Sequence, residues 1–389
     1  LQKLKVMSVF GTRPEANKMA PLVKALENES RIESIVCVTA QHRQMLDQSL
    51  EYFDIKPDYD LDIMKDRQTL TGVTTRVLEG MADVLAEAKP DIVLVHGDTS
   101  TSFVAALASF YAHIPVGHVE AGLRTYNKKE PFPEEANRCL TGVLADIHLA
   151  PTALSKQHLL LENVPAEKIY ITGNTSIDVI GVTYRDDYIF ELDALNAVDF
   201  TGKRVITMTA HRSENLGAPL ENICRAVKRI VEDNEDVAVV YAVHLNPAVQ
   251  EVANAILGDV PRVHLVPPPN LPDMHNLMMR SYMVMSDSGG LQEEVPSMHK
   301  PVLVLRNVTE RPEGVNTGAL QLAGTNENVI YDMASTLLHD KAAYDKMVAA
   351  PNPFGDGNAS ARIVQALLHH FGLIETRPED YGDEKNTAN

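Results

Sequence analysis

Three cysteines in 389 residues, Cys37, Cys139 and Cys224, are odd in number and far apart, which excludes a disulfide framework and a cysteine-rich zinc site. Reduced thiols in a cytoplasm are the plain expectation. No stretch approaches the roughly 18 to 20 apolar residues of a spanning helix, and the opening "LQKLKVMSVFGTRPE" soon reaches a glycine turn, so neither export nor anchoring is expected. Positive charge is scarce too: 35 Lys and Arg face 53 Asp and Glu, a formal net charge of −18. Such a surface repels phosphate backbones and argues against a general nucleic-acid role, while a local basic pocket can still hold a small anion. There is no HExxH pattern, cysteine pair, solenoid repeat or low-complexity tract, and no metal is expected.

What is present is ordinary for a globular chain, at 44% hydrophobic and 23% charged. The length exceeds one ordinary core and divides naturally into two domains of roughly 150 to 200 residues. Short apolar runs alternate with helical patterns, the signature of βαβ units and parallel sheets. Val6 to Phe10, "IVCVTA", "DIVLVHGD", "PVGHVEAG", "ADIHLAP" and "KIYITGN" read as strands, with Val73, Val77, Met81, Val84 and Ala88 at helical spacing between them. A polar, Asp-rich interval around Arg185 to Gly202 is the candidate boundary. The alternation resumes at "RVITMTAHR" and continues through "DVAVVYAVHLN", "RVHLVPP", "YMVMSDSGG" and "PVLVLRN". The expected fold class is therefore α/β, with two Rossmann-like doubly wound domains facing a central cleft. The polar end of the chain lacks periodicity, and residues 377–389 are expected to form a flexible tail.

Open parallel sheets bind ligands beyond the carboxyl ends of their strands. The residues found there are Arg13, Gln41, His42, Asp98 and Glu120 in the first half, and His211, Arg212, His244, Ser288, Gly289 and Gly290 in the second. "SDSGGLQEE" combines a strand end, small residues and a helix start, which suits a phosphate, with Glu293 or Glu294 placed to accept from ribose hydroxyls. A plain glycine turn with a solvated acidic first turn fits the same residues. Arg13, Lys18, Arg212 and Arg311 share a purpose if a pyrophosphate is bound between the domains, and are surface charges otherwise. Asp98, Glu120, Glu134 and Glu135 form an acidic counterpart in which one carboxyl can act as base and another as acid. Asp98 can equally cap a helix, and the glutamates of "PFPEEANR" can simply favour a helix start. Glu120 ends an apolar strand, where a bare charge has no evident structural use. His211, beside Arg212, suits phosphate binding or a structural role alike.

Together the motifs "VFGTRPE", "TAQHRQMLDQ", "VLVHGDT", "GHVEAGLRT", "PFPEEANR", "TAHR", "VHLNP", "SDSGG" and "TERPEGV" resemble the non-hydrolysing bacterial UDP-N-acetylglucosamine 2-epimerases, in order and spacing, from about residue 4 to about residue 372. The resemblance implies a GT-B-like fold. Its domains are 1–174, carrying the carboxylates and joined by a C-terminal helix at about 360–376, and 175–359, binding UDP. It implies reversible epimerisation of UDP-N-acetylglucosamine to UDP-N-acetylmannosamine by elimination and re-addition of UDP through 2-acetamidoglucal, supplying cell-surface polysaccharide. No nicotinamide or other cofactor is implied. Asp98, Glu120, Glu134 and His211 match the catalytic positions. Arg13, Lys18, Met274, Ser288, Gly289, Gly290, Glu294 and Arg311 match substrate or UDP positions. Gln41, His42, Gln44, Arg67, Arg212 and His244 resemble a neighbouring site where some members bind a second UDP-N-acetylglucosamine as activator. A cytoplasmic homodimer is implied, without nucleic-acid or membrane partners.

The chain departs from the family pattern at Asn17, Ser213, "KKEPFPEE", Pro269, His299 and Met274, the last in place of the usual aromatic beside the uracil pocket. These changes spare the carboxylates. Glu134 is expected to serve the chemistry and Glu135 to be a helix-start or supporting charge. A hydrolysing 2-epimerase, a GT-B glycosyltransferase and a non-catalytic nucleotide-sugar sensor are the alternatives. The clustered acids favour proton abstraction over transfer or sensing.

Overall fold

The computed structural model describes residues 3–41, 43–65 and 68–382. Two compact units are formed, Leu1–Val179 with Gly355–Asn389, and Ile180–Phe354.

The first unit holds β1 (Leu4–Phe10), β2 (Ile32–Val38), β3 (Tyr59–Asp60), β4 (Ile92–His96), β5 (Val116–Val119), β6 (Ile147–Ala150) and β7 (Ile169–Ile171). They pair in parallel in the order β3-β2-β1-β4-β5-β6-β7. The central strands are buried on both faces, which is why they read as continuous apolar runs rather than alternating ones. Val73, Val77, Met81, Val84 and Ala88 form the buried stripe of helix Leu70–Ala88, as their spacing predicts.

The second unit holds β8 (Arg204–Thr209), β9 (Val237–Ala242), β10 (Val263–Val266), β11 (Met283–Ser286), β12 (Val302–Val304) and β13 (Leu320–Leu322). Its parallel order is β10-β9-β8-β11-β12-β13. Both units are thus doubly wound, with the strand order reversing beside β1 and β4 in one and beside β8 and β11 in the other. The loops after those strands are where such sheets bind ligands.

The polar interval near residues 185–202 carries its own apolar anchors. Phe190, Leu195 and Val198 are buried in a core cluster of the second unit, and Phe190 stacks on Phe200 at 5.8 Å.

The expectation of a flexible tail needs correction for residues 377–381. Strand β7 is a sheet edge with open backbone groups, and the tail satisfies them. Tyr381 N donates to Ile171 O at 2.8 Å, and Asp380 accepts from Ile171 N at 2.8 Å and from Lys156 at 2.6 Å. Arg377 donates to the carbonyls of Glu167 and Ile169, its guanidinium 4.0 Å above the Tyr170 ring. Helix Ala359–His370 is fixed at its start by Asp178, which accepts from the amides of Ala359 and Ser360 at 3.0 and 2.6 Å.

Three histidines lie in adjacent strands of the first unit, with His118 and His148 cross-strand partners and all three side chains buried. Burial holds them below the ordinary value, His96 and His148 down to about 4 and His118 to about 3. A histidine lowered in this way binds fewer protons folded than unfolded. Its contribution to stability is therefore complete above about pH 6.5 and is lost as the pH falls toward the folded value. His118 Nε2 is 2.7 Å from Gly97 O, a contact that a glutamine amide can imitate without titrating. The stability of the natural chain relative to His118→Gln is expected to fall by a few kcal/mol between pH 6.5 and 4. Urea unfolding at stepped pH measures this, and a constant gap would show that His118 does not titrate on unfolding.

Candidate functional site

The turn after β1 is organised by a residue whose role is not apparent from the motif. Glu15, fully buried, accepts from the amides of Gly11 and Thr12 at 3.1 and 2.8 Å and from the Thr12 hydroxyl at 2.7 Å. Its other oxygen accepts from Thr99 at 2.7 Å and Ser102 at 3.0 Å. Burial raises this carboxyl despite those donors. One side chain thereby ties the β1 turn to the start of helix Ser100–Tyr111, just beyond Asp98. Arg13, the first residue of helix Arg13–Asn28, is exposed beside that turn. A side-chain carbon at Gly11 would collide with the hydroxyls of Thr39 and Thr101, so only glycine lets the strand end pass so close to them.

Glu120 lies just beyond β5 with φ +61°, a conformation that costs an L-residue energy and marks it as held in place. Its Oε2 takes Lys18 Nζ at 2.5 Å and Asn174 Nδ2 at 2.9 Å. His96 Nε2, buried and without a hydrogen-bond partner, is 3.8 Å from the same oxygen. Burial alone would raise this carboxyl, but the Lys18 ammonium, then His96 and the two hydrogen bonds, outweigh it and hold Glu120 well below the usual carboxylate range. Lys18, expected among the nucleotide-binding residues, is thus engaged by a carboxylate of its own unit. In this arrangement Glu120 is ionised and weakly basic.

Asp98 follows β4 and pairs with Arg138, while its carbonyl accepts from Asn137 at 3.0 Å. Both partners lie on helix Glu134–Leu144, which brings the two segments together. Glu134 opens that helix, and its Oε2 is shielded from solvent without a hydrogen-bond partner. Glu135 behaves differently: fully buried, it accepts from the amides of Thr125 and Tyr126 at 3.0 and 2.8 Å, with Arg138 at 3.5 Å. It therefore braces the loop that follows Glu120. Asp98, Glu120 and the start of the Glu134 helix share the carboxyl end of one sheet. A carboxylate with a cation at hand, and a second carboxylate bound to arginine, provide acid/base capacity there.

In the second unit the loops after β8 and β11 are joined through Asp287. Its fully buried carboxylate accepts from the amides of His211 and Arg212, both at 2.8 Å, and from Asn215 Nδ2 at 2.9 Å. His211 Nδ1 is 3.3 Å from the other oxygen, and the ring stacks on His244 at 5.4 Å. Burial lowers His211, with Asp287 opposing and His244 and Arg212 reinforcing. Two guanidiniums come close to Gly289: a carbon built there would be 3.7 Å from Arg212 Nη2 and 3.9 Å from Arg311 Nη2. Ser288, Gly289 and Gly290 thus form the small-residue first turn of the short helix Gly289–Glu294, with two cations at hand, suited to a diphosphate.

The two glutamates after that turn divide their tasks. Glu293 is buried and paired with Arg311. Glu294 lies 3.4 Å from His275. Met274 is half-buried and packs on the cluster containing Phe190 and Leu277.

Of the positions expected at a neighbouring activator site, Gln41 and Gln44 belong to the first unit and Arg212 and His244 to the second. Gln41 Oε1 accepts from Thr101 at 3.1 Å, and Gln44 is exposed. His42 and Arg67 lie outside the described residues. Among the described residues, no group of three or more His, Cys, Asp or Glu side chains could hold a metal ion, and no helix is long and apolar enough to cross a membrane.

Comparison with known proteins adds an independent line. The family described as UDP-N-acetylglucosamine 2-epimerase matches residues 24–368. The UDP-N-acetylglucosamine 2-epimerase of Bacillus subtilis strain 168 is 55% identical over 382 residues, covering 98% of this chain and 99% of that one. A Listeria monocytogenes crystal structure superposes with a TM-score of 0.92 at 54% identity, covering 97% of this chain and 99% of the other. The Neisseria meningitidis UDP-GlcNAc 2-epimerase bound to UDP-GlcNAc gives a TM-score of 0.83 at 48% identity, covering 94% and 100%.

Proposed function

The chain belongs to the UDP-N-acetylglucosamine 2-epimerase family, and we propose that this non-hydrolysing isomerase inverts C2 of UDP-N-acetylglucosamine by eliminating and re-adding UDP. The observation that carries the proposal is Glu120: a buried carboxylate, fixed in a left-handed backbone conformation, with a lysine and an asparagine on one oxygen. Simple binding of an anionic nucleotide gives no reason to spend strain on an acid.

The chemistry explains why more than one acid is needed. A carboxylate of the first unit takes the C2 proton; its electron pair forms the C1=C2 bond of 2-acetamidoglucal, and the C1–O bond breaks with its pair leaving on UDP. In the return step a UDP oxygen bonds to C1 while a proton arrives on the opposite face of C2. Two faces require two groups, and Asp98, Glu120 and Glu134 supply the candidates. The nucleotide end is assigned to Ser288, Gly289, Gly290, Glu294 and Arg311 with Met274, and His211 to the departing phosphate. Arg13 and Lys18 are the first unit's candidates for an anionic group of the substrate. A diphosphate that draws Lys18 away from Glu120 makes that carboxylate a stronger base.

UDP-N-acetylmannosamine is then the product, supplying N-acetylmannosamine units for surface polysaccharide, in a cytoplasm suited to three free thiols. Gln41, Gln44, Arg212 and His244 are left for a second UDP-N-acetylglucosamine acting as activator.

Incubation with UDP-N-acetylglucosamine in D2O tests the reaction. UDP-N-acetylmannosamine carrying deuterium at C2 is the expected product. Free N-acetylmannosamine would instead indicate hydrolysis, and transfer to an acceptor without C2 exchange a glycosyltransferase. Starting from UDP-N-acetylmannosamine alone, a lag abolished by traces of UDP-N-acetylglucosamine is expected if the activator site operates, and its absence removes that assignment.

A further inference from the structure

One buried polar atom of the second unit lies beside a residue proposed for the nucleotide and has no assigned purpose. His275, in helix Leu271–Arg280, is 1% exposed, and its Nε2 lacks a hydrogen-bond partner. That nitrogen lies 3.4 Å from Glu294 Oε2. Across the ring, Nδ1 is 2.6 Å from Oγ1 of fully buried Thr183, which also has Ile180 O at 3.4 Å. A ring with a bare Nε2 would set a lone pair against a carboxylate. Every other arrangement, with the threonine donating to Nδ1 or the ring protonated at both nitrogens, sets an N–H rather than a lone pair beside Glu294.

His275 is too deeply buried to touch a ligand, so it acts through Glu294. The other Glu294 oxygen, Oε1, lies toward the small-residue turn: a carbon built at Gly290 would be 3.8 Å from it. We infer that Thr183 and His275 are positioning residues that fix Glu294 to accept from both hydroxyls of a ribonucleoside diphosphate, giving the site its selection of ribose over deoxyribose. The inference rests on the assignment of this turn to UDP. A carboxylate clamped from behind cannot swing to water when one hydroxyl is missing, so a deoxynucleotide leaves part of it unpaired in a shielded place. Without the clamp the carboxylate is free to re-solvate, and the discrimination fades.

Calorimetric titration of the full chain with UDP and with 2′-deoxy-UDP tests this. The natural chain is expected to prefer UDP by about tenfold or more, as a site built around a substrate hydroxyl does. His275→Phe and the nearly isosteric Thr183→Val are expected to reduce that ratio to about twofold by weakening UDP while leaving 2′-deoxy-UDP unchanged. Equal weakening of both ligands would make the pair simple packing residues and overturn the inference, as would an unchanged ratio. If the natural chain binds both nucleotides equally, the selection alone is refuted. If it binds neither, the assignment of the turn to UDP fails first.

Discussion

Glu120→Gln is expected to lower turnover by about 10³-fold, the scale of a lost general acid or base, while UDP affinity stays within about threefold. The substitution separates chemistry from architecture because of the hydrogen bonds at this carboxylate. Lys18 and Asn174 both donate to the same oxygen, Oε2. A glutamine carbonyl placed there accepts from both, and its amide nitrogen occupies the side near Gly97. The brace survives; the proton acceptor does not. Deuterium incorporation at C2 should fall in step with turnover, because the lost step is proton removal itself. If turnover and UDP affinity decline together, Glu120 is a structural residue and the acid/base assignment must move to Asp98 and Glu134.

Lys18→Met supplies the complementary reading within the same experiment. Removing the ammonium takes away the largest influence that lowers Glu120. Glu120 then titrates closer to an ordinary carboxyl, and the acid limb of the pH-rate profile shifts upward. A limb that stays in place would mean that Glu120 is not the group titrating in the reaction.

How much of this was legible in the sequence depends on distance along the chain. The strands were, because a doubly covered parallel strand has no polar face to break its apolar run. The gathering of polar side chains just beyond the strand ends was, because a parallel strand's apolar run stops where its loop begins. Partnerships were not. Lys18 and Glu120 are 102 residues apart, and their ion pair exists only because β1 and β4 bring the first helix beside the end of β5. A lysine one turn into a helix resembles a phosphate ligand in isolation. Arg138 was likewise just the end of "PFPEEANR" until the fold set it between Asp98 and Glu135. The tail read as flexible because its polarity hides the backbone that β7 needs. Glu135 was separable from Glu134 only by register, since adjacent residues on a helix point about 100° apart and just one of the two faces the loop after Glu120.

The second large effect is expected at Asp287, which the motif "SDSGG" offers without any hint of its task. Three N–H groups from the His211 loop converge on one carboxylate oxygen. Asp287→Ala leaves all three without an acceptor in a dry place, so a loss of about 3 to 5 kcal/mol is expected, the scale of breaking a buried charged network. The loop it releases carries His211 and Arg212, and UDP affinity should fall by at least about 100-fold, roughly 2.7 kcal/mol. Because the alanine chain can fail to fold, Asp287→Asn separates the two effects. An asparagine oxygen keeps part of the backbone anchoring but removes the charge that favours protonation of His211. The folded chain is therefore retained at modest cost, and the His211 ring should titrate lower than in the natural protein, as read from its C2–H resonance. Urea unfolding, calorimetry with UDP and this titration give three independent measures. Should Asp287→Ala fold and bind UDP within about twofold of the natural chain, the His211 loop would not be part of the nucleotide site.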